Sequence, residues 1–298
     1  MITFDAVVRI WNAFFFVDEP TAALALFRIL FGCLLVANAA LFARDARFWI
    51  GPGGVLSHDE YCRVHGHTRF TLLRYLPPTE ASVTLVLVAH VAAALLLTAG
   101  VMTHWSAAVA WLTLVSLHQR NQWVTYGADN VMRILGFLLI FSHAGDTASF
   151  DRWWATRAGA VPVPASAWCT RLMQLQVSTI YFQAFLCKFA GRTWIDGSAV
   201  YYAIEVPKHR RTHLPRFARS LGWSRLASWS TVAIEGALGP LVWFRELRMP
   251  IVIAGVALHL GMEVFMNLHL FSITMTICLV LFVDAHQADW LLRLLGLS

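Results

Sequence analysis

Charge is what this sequence has least of. Only 13% of its 298 residues are charged and 58% are hydrophobic, against roughly 25% and 45–50% in soluble domains. A chain so apolar cannot hide its surface in water, which excludes nucleic-acid binders and secreted disulfide scaffolds. Lysine is scarce as well: the 23 basic residues include only Lys188 and Lys208. The five cysteines (Cys33, Cys62, Cys169, Cys187, Cys278) form no C-x-x-C pair and three lie in apolar runs, so neither a disulfide framework nor a zinc site is suggested. Strand alternation is missing, which excludes a β-barrel. There is no Gly-rich phosphate loop, nucleophile elbow, paired-carboxylate motif, internal repeat or low-complexity linker. No cleavable signal is apparent. Residues 1–21 carry Asp5, Arg9, Asp18 and Glu19 and read as an amphipathic segment, rich in Phe and Trp, lying in the membrane interface.

What remains predicts an all-α, polytopic membrane bundle forming a single domain over residues 1–298. A crossing takes about 20 apolar residues, and the runs at 22–43, 81–102, 105–118, 131–145, 168–190, 226–244, 249–267 and 270–284 predict about eight of them. Residues 44–79 form an extramembrane loop whose His58, Asp59, His65 and His67 either cap a site or, the preferred reading, simply face water. The stretch "QRNQWVTYGADN" (119–130) breaks the apolar pattern. The basic loop 207–225 carries Lys208, Arg210, Arg211, Arg216, Arg219 and Arg225, and a net charge of +6 suits loops resting on anionic lipid. By the positive-inside rule 207–225 and 44–79 face the cytoplasm and both termini lie outside.

Ionisable groups at membrane depth cost about 2.5–3.5 kcal/mol each on insertion scales, so each is a functional candidate. Gln174, Ser178, Tyr181 and Lys188 recur along one helical face. An ammonium can lose its proton when desolvated, whereas a guanidinium cannot, so Lys188 reads either as a general base or as a side chain snorkelling to the headgroups. His259, Glu263 and Asn267 recur every four residues, with His269 just beyond. That stripe suits a proton relay, a quinone or haem contact, part of a metal site, or a helix–helix hydrogen-bond ladder. It is not a zincin motif, since only one histidine has the required spacing. Glu235 and Arg28 are lone charges expected to pair with each other, with Arg133 or with His259. His90 and His143 read as satisfied core histidines.

Three stretches carry a resemblance: "ALFRILFGCLLV" (25–36), "YFQAFLCKFAGRTWIDGSAVYYAIE" (181–205) and "HLGMEVFMNLHLFSITM" (259–275). In this order, with Arg in the first span, Y-F…K before W-I-D-G, then M-N…L-F-S-I, the chain resembles the HTTM family. This is the membrane domain shared by vitamin K-dependent γ-glutamyl carboxylase and many short bacterial proteins. The resemblance implies chemistry at a reduced quinone, vitamin K hydroquinone or menaquinol, with O2 and CO2 as co-reactants. Lys188 matches the lysine that deprotonates the hydroquinone, whose phenolic proton titrates at about 10. His259 and Glu263 are candidate catalytic partners, and Tyr181, Asn267 and Arg28 candidate cofactor contacts.

The departures are specific. The carboxylase histidine just before M-N…L-F is matched here by Val264, another by Gln122, and the large substrate-binding domain has no counterpart before Ser298. The family also places its site toward the lumen, against the orientation read from the charges. The leading expectation is a carboxylase-like enzyme of the bacterial inner (plasma) membrane, a lyase or oxidoreductase coupling quinol epoxidation to modification of a peptide or small molecule. The first alternative is a protein that, with partners, matures a secreted peptide toxin without carboxylation, as the sporulation-delaying toxin maturation protein does. The second is a non-enzymatic quinone or lipid carrier, in which Lys188→Met would leave function intact. In each case the lipid bilayer is a partner and nucleic acid is not.

Overall fold

The computed structural model describes residues 3–66, 68–161, 165–211 and 215–297. His67 therefore lies outside the described residues, as do parts of loops 146–165 and 207–225. In chain order the α-helices are α1 (Phe4–Phe15), α2 (Ala22–Arg44), α3 (Ala46–Ile50), α4 (His58–His65), α5 (Glu80–Ala99), α6 (Thr103–Arg120), α7 (Gly127–Ile140), α8 (Phe150–Arg157) and α9 (Trp168–Phe189). They continue as α10 (Arg192–Ile195), α11 (Ala199–Glu205), α12 (Leu221–Leu238), α13 (Arg245–Phe265), α14 (Phe271–Leu279) and α15 (Ala285–Leu294). Among the described residues there is no strand, only isolated bridges such as Arg210 with Met266.

A helix stands at each of the eight apolar runs, but among the described residues only α2, α5 and α13 are long and apolar enough to cross a membrane. The expectation of about eight crossings is corrected accordingly. Length and polar load explain the shortfall: α7 has 14 residues and α14 only 9, and at 1.5 Å per residue neither reaches across 30 Å of hydrocarbon. Helix α9 carries Arg171, Gln174, Gln176, Gln183 and Lys188, and α6 ends in His118, Gln119 and Arg120. The crossing helices bare large apolar side chains, including Leu85, Val88 and Leu95 on α5 and Ile253, Leu260 and Val264 on α13. Such faces suit lipid and not water.

The chain divides into two compact units. The first, residues 1–170 with 285–298, is built on α2, α5, α6 and α7, each packed on the next, with α15 against α2. Thr79 caps α5 by accepting from the Ser82 amide, and Gly100 ends it with φ +68° before α6 starts at Thr103, giving the expected hairpin. The conformation is one that glycine adopts without a Cβ penalty. Asp151 fastens the turn by accepting from the amides of Met102 and Thr103, both at 2.8 Å.

The second unit, residues 171–284, contains most of α9 and all of α10 to α14. Helix α12 packs on α13, and α13 on α14. A Cβ on Gly236 of α12 would lie 2.9 Å from the Phe185 ring, so glycine permits α9 and α12 their close approach. After α13 the chain runs back along the basic segment, where the Asn267 amide donates to His209 O at 2.6 Å and the Arg211 amide to Phe265 O at 3.2 Å.

Candidate functional site

Within the second unit α9, α12 and α13 enclose an apolar cavity of about 570 Å³. Its walls come from residues such as Ile180, Ala184, Leu226, Ile234, Leu258 and Phe271. Two polar pairs interrupt them. Lys188 Nζ on α9 lies 2.8 and 2.7 Å from the two carboxylate oxygens of Glu235 on α12. Tyr181, two turns earlier on α9, shares a 2.7 Å hydrogen bond between its hydroxyl and His259 Nε2 on α13. His259 and Tyr181 are almost fully buried, and the second imidazole nitrogen of His259, Nδ1, has no hydrogen-bond partner among the described residues.

The W-I-D-G stretch after α9 explains why Lys188 is held where it is. Trp194 of α10 places its ring centroid 5.2 Å from Lys188 Nζ, a cation–π contact in addition to the pair with Glu235. The backbone beyond it is pinned to α12: Gly197 O accepts from Ser224 Oγ at 2.8 Å and Ser228 Oγ at 3.1 Å, and Ile195 O accepts from Trp229 Nε1 at 3.1 Å. Gly197 has φ +80°, and a Cβ there would lie 2.8 Å from Arg225 Cα. Asp196 accepts from the Ser198 amide at 2.8 Å, and hydrogen bonding by Ser198 holds its carboxyl below the ordinary carboxylate range.

Of the residues singled out from the sequence, Lys188, Tyr181 and His259 therefore come together around one cavity. Glu263, one turn from His259, does not line it; its carboxylate pairs with Arg211 of the basic segment. Asn267 is exposed and contributes its backbone amide to His209. Gln174 donates to Leu281 O at 2.6 Å, and Ser178 is buried outside the cavity lining. Arg28 belongs to the first unit, where its guanidinium donates to Ala144 O at 2.7 Å and Ala148 O at 2.5 Å, with longer contacts to Thr147 O and Thr98 O. The expected partners of Glu235 are corrected. It pairs with Lys188, since Arg28 is occupied by carbonyls, Arg133 donates to Asn130, and His259 bonds Tyr181. Helical periodicity sorted each residue onto a face but carried no information about which faces meet, so Glu235 and Trp194 were missed as members of the site.

Three of the six cations of the basic segment are paired within their own unit, against two carboxylates. Arg210 and Arg219 pair with Glu205 at 3.8 and 3.1 Å, and Arg211 with Glu263. In the first unit His90 is fully buried with Nδ1 2.9 Å from Thr113 Oγ1, as a core histidine, whereas His143 is half-exposed against Asp146 at 3.1 Å.

With this geometry in hand, one comparison is decisive. The HTTM domain matches residues 16–290, nearly the whole chain. The chain belongs to the HTTM family. No curated protein and no solved structure matches it. HTTM is a membrane domain associated with the vitamin K-dependent carboxylase, and the bare apolar helices α2, α5 and α13 accord with an integral membrane protein. The Lys188 cavity lies wholly inside the matched HTTM region.

Proposed function

We propose that this HTTM protein is a membrane enzyme of the bacterial inner membrane that oxidises a reduced quinone, coupled to modification of a peptide or small molecule, with Lys188 as the base. The observation that carries this reading is the meeting of Lys188–Glu235 and Tyr181–His259 in one apolar chamber. An aromatic diol with an apolar tail needs two polar anchor points in a greasy pocket, and the lining offers both. The unpartnered Nδ1 of His259 is one hydrogen-bonding position left open. A reduced quinone bound there, vitamin K hydroquinone or menaquinol, would supply two electrons and two phenolic protons, with O2 as oxidant and CO2 as a candidate acceptor.

The chain's own contribution is proton handling in a dry site. Buried ion pairs are costly because neither charge is hydrated. Moving one proton from Lys188 Nζ to a Glu235 oxygen across 2.7–2.8 Å converts two charges into a neutral amine and a neutral acid. The amine then has a free lone pair and can accept a phenolic proton, regenerating the ammonium. Trp194 limits where the amine can swing, and the Tyr181–His259 pair provides a second position able to donate or accept. The apolar lining limits the water that would otherwise compete for the base.

A second reading has a specific observation in its favour. Val264, which matches a carboxylase histidine, is exposed on α13 and does not line the cavity. That accords with partner-dependent maturation of a secreted peptide without carboxylation. The deciding experiment incubates purified wild type, Lys188→Met and Glu235→Gln with reduced vitamin K and oxygen and quantifies quinone epoxide by mass spectrometry. The carboxylase-like reading expects epoxide from wild type and loss of at least about a hundredfold in Lys188→Met, the scale of a general base. Equal epoxide from wild type and Lys188→Met, or none from folded wild type, overturns it.

A further inference from the structure

The polar break at residues 119–130, where Gln122 stands in place of a carboxylase histidine, contributes nothing to the Lys188 cavity, and in the first unit it builds a pocket of its own. Its residues form the last turn of α6, a 3-10 turn over Gln122–Val124, and the first turn of α7. Arg69, from the loop before α5, completes the wall. The pocket measures about 460 Å³ and its lining includes Arg69, His118, Gln119, Gln122, Asn130 and Arg133. Among the described residues no aspartate or glutamate lines it.

The orientation of the amides decides what the pocket offers. Arg69 Nη1 donates to Gln119 Oε1 at 3.0 Å, and Arg133 Nη2 donates to Asn130 Oδ1. With those oxygens turned to the guanidinium groups, the two amide NH2 groups remain as donors. Each guanidinium carries five N–H donors, and neither arginine is in an ion pair among the described residues. His118 is buried to within 2% of full enclosure, and neither of its ring nitrogens makes a hydrogen bond. Its nearest acid is Asp129, 3.5 Å from Nε2. Asp129 accepts from the Tyr126 amide at 2.9 Å and from Asn38 at 3.5 Å and does not line the pocket. Asp129 supplies one negative charge from behind the wall, to His118 and to Arg133, but the lining itself presents a buried imidazole without a hydrogen bond, two cationic forks and amide donors, and an anion with several acceptor atoms would satisfy them.

We propose that this pocket binds an oxyanion of the phosphate class, with the Arg69 and Arg133 guanidinium groups as its principal ligands and His118 and the Gln119, Gln122 and Asn130 amides as additional donors. Planar guanidinium forks match such oxyanions two N–H groups at a time. The phosphate has two possible sources, a free phosphate or phosphomonoester and a phospholipid headgroup, and the test separates them. The site shares no residue with the Lys188 cavity, so it stands or falls apart from the proposed enzymatic reading.

The full-length protein, delipidated in a neutral detergent, is unfolded thermally against increasing inorganic phosphate, with chloride at matched ionic strength as reference. A parallel series adds phosphatidylglycerol, with phosphate-free diacylglycerol as its reference. Saturable stabilisation by phosphate identifies a site open to the free anion, and stabilisation by phosphatidylglycerol alone identifies the headgroup as the source. Arg69→Gln/Arg133→Gln should weaken the apparent affinity by at least about tenfold. Gln122→Glu retains both arginines and places a carboxylate in the pocket, and should also lose at least about tenfold through repulsion. Stabilisation of wild type by neither ligand beyond its reference, or an equal response in wild type and Gln122→Glu, overturns the proposal.

Discussion

Breaking the Lys188–Glu235 pair from either side, and then from both, tests whether it is a desolvated ion pair. The side chains are 22% and 11% exposed and their charged atoms meet at 2.7–2.8 Å. Removing one partner of a buried pair strands the other charge and costs about 3–5 kcal/mol, while replacing both with groups of similar volume is close to neutral. Lys188→Met should therefore destabilise by about 3 kcal/mol, at the lower end because part of the lysine remains accessible. Glu235→Gln should do the same with the ammonium left behind, and Lys188→Met/Glu235→Gln should recover most of the loss. The cycle gives a coupling energy of at least about 2 kcal/mol. Reversible unfolding in mixed micelles, with all four proteins in the same detergent, measures it. A cost below about 1 kcal/mol for each single variant, with additive loss in the double, is the behaviour of a solvated surface pair. That result would refute the desolvation argument, and with it the proton transfer from Lys188 to Glu235 that frees the base.

Four further outcomes follow from particular contacts. Arg28→Met should cost about 2–4 kcal/mol, since two carbonyls, those of Ala144 and Ala148, lose charged donors at 2.7 and 2.5 Å; Arg28→Lys, a single ammonium in place of the fork, should recover less than half in the same denaturation assay. Gly197→Ala should cost more than the roughly 1–2 kcal/mol of a left-handed backbone, because its Cβ also meets Arg225, whereas Gly222→Ala, in open space on α12, should be neutral or slightly stabilising. Gly32→Val on α2 should destabilise by about 1–3 kcal/mol, as even a Cβ would lie 2.2 Å from Thr98 Oγ1 and 3.0 Å from Ala94 O. In the first unit the Ser57 hydroxyl and amide hydrogen-bond Glu60 and hold its carboxyl below the usual value, so this cap helps α4 fully above the ordinary glutamate range and is lost as pH falls through the lowered value; amide protection in α4, measured relative to the intrinsic exchange rate, should fall on acidification in wild type and fall less in Ser57→Ala, which keeps only the backbone bond.

The helix order was the most legible feature of the sequence. Only residues 103 and 104 separate the apolar runs 81–102 and 105–118, which left room only for a hairpin, and α5 and α6 form one, with the turn placed a little earlier, at Gly100. The number of crossings was less legible, because an apolar run reports burial and not length. Helix α14 buries Ser272, Thr274, Met275 and Cys278 against neighbours in its own unit without being long enough to span. The site was half legible. Spacing of four and seven put Tyr181 and Lys188 on one face and made His259 and Glu263 neighbours on another, but His259 turns to Tyr181 while Glu263 turns to Arg211. Residues one helical turn apart share a face broadly, and a small rotation decides which of them meets the cavity and which the basic segment.

Ionisable groups withdrawn from solvent fall into two kinds once their partners are known. Arg28 spends its donors on backbone carbonyls, and Arg120 does likewise at Leu56 O (2.8 Å) and Gly51 O (3.4 Å), with its guanidinium 5.1 Å from the centre of the Tyr61 ring. These cations staple loops to helices and have little left to give a ligand. Lys188 and Glu235 meet each other as counter-charges, Lys188 also meets an aromatic face, and both line an apolar cavity. A pair of that kind can exchange its proton without altering the net charge of the cavity, which a carbonyl-bound guanidinium cannot do. Function is therefore to be sought where a titratable pair faces a cavity, and structure where a cation faces carbonyls. Lys188→Arg separates the two roles: it retains the positive charge and the contact with Glu235 but removes the ability to become a neutral base. Stability within about 1 kcal/mol of wild type, together with loss of any Lys188-dependent turnover, is the expected result. Turnover retained in Lys188→Arg would assign Lys188 to the stapling class.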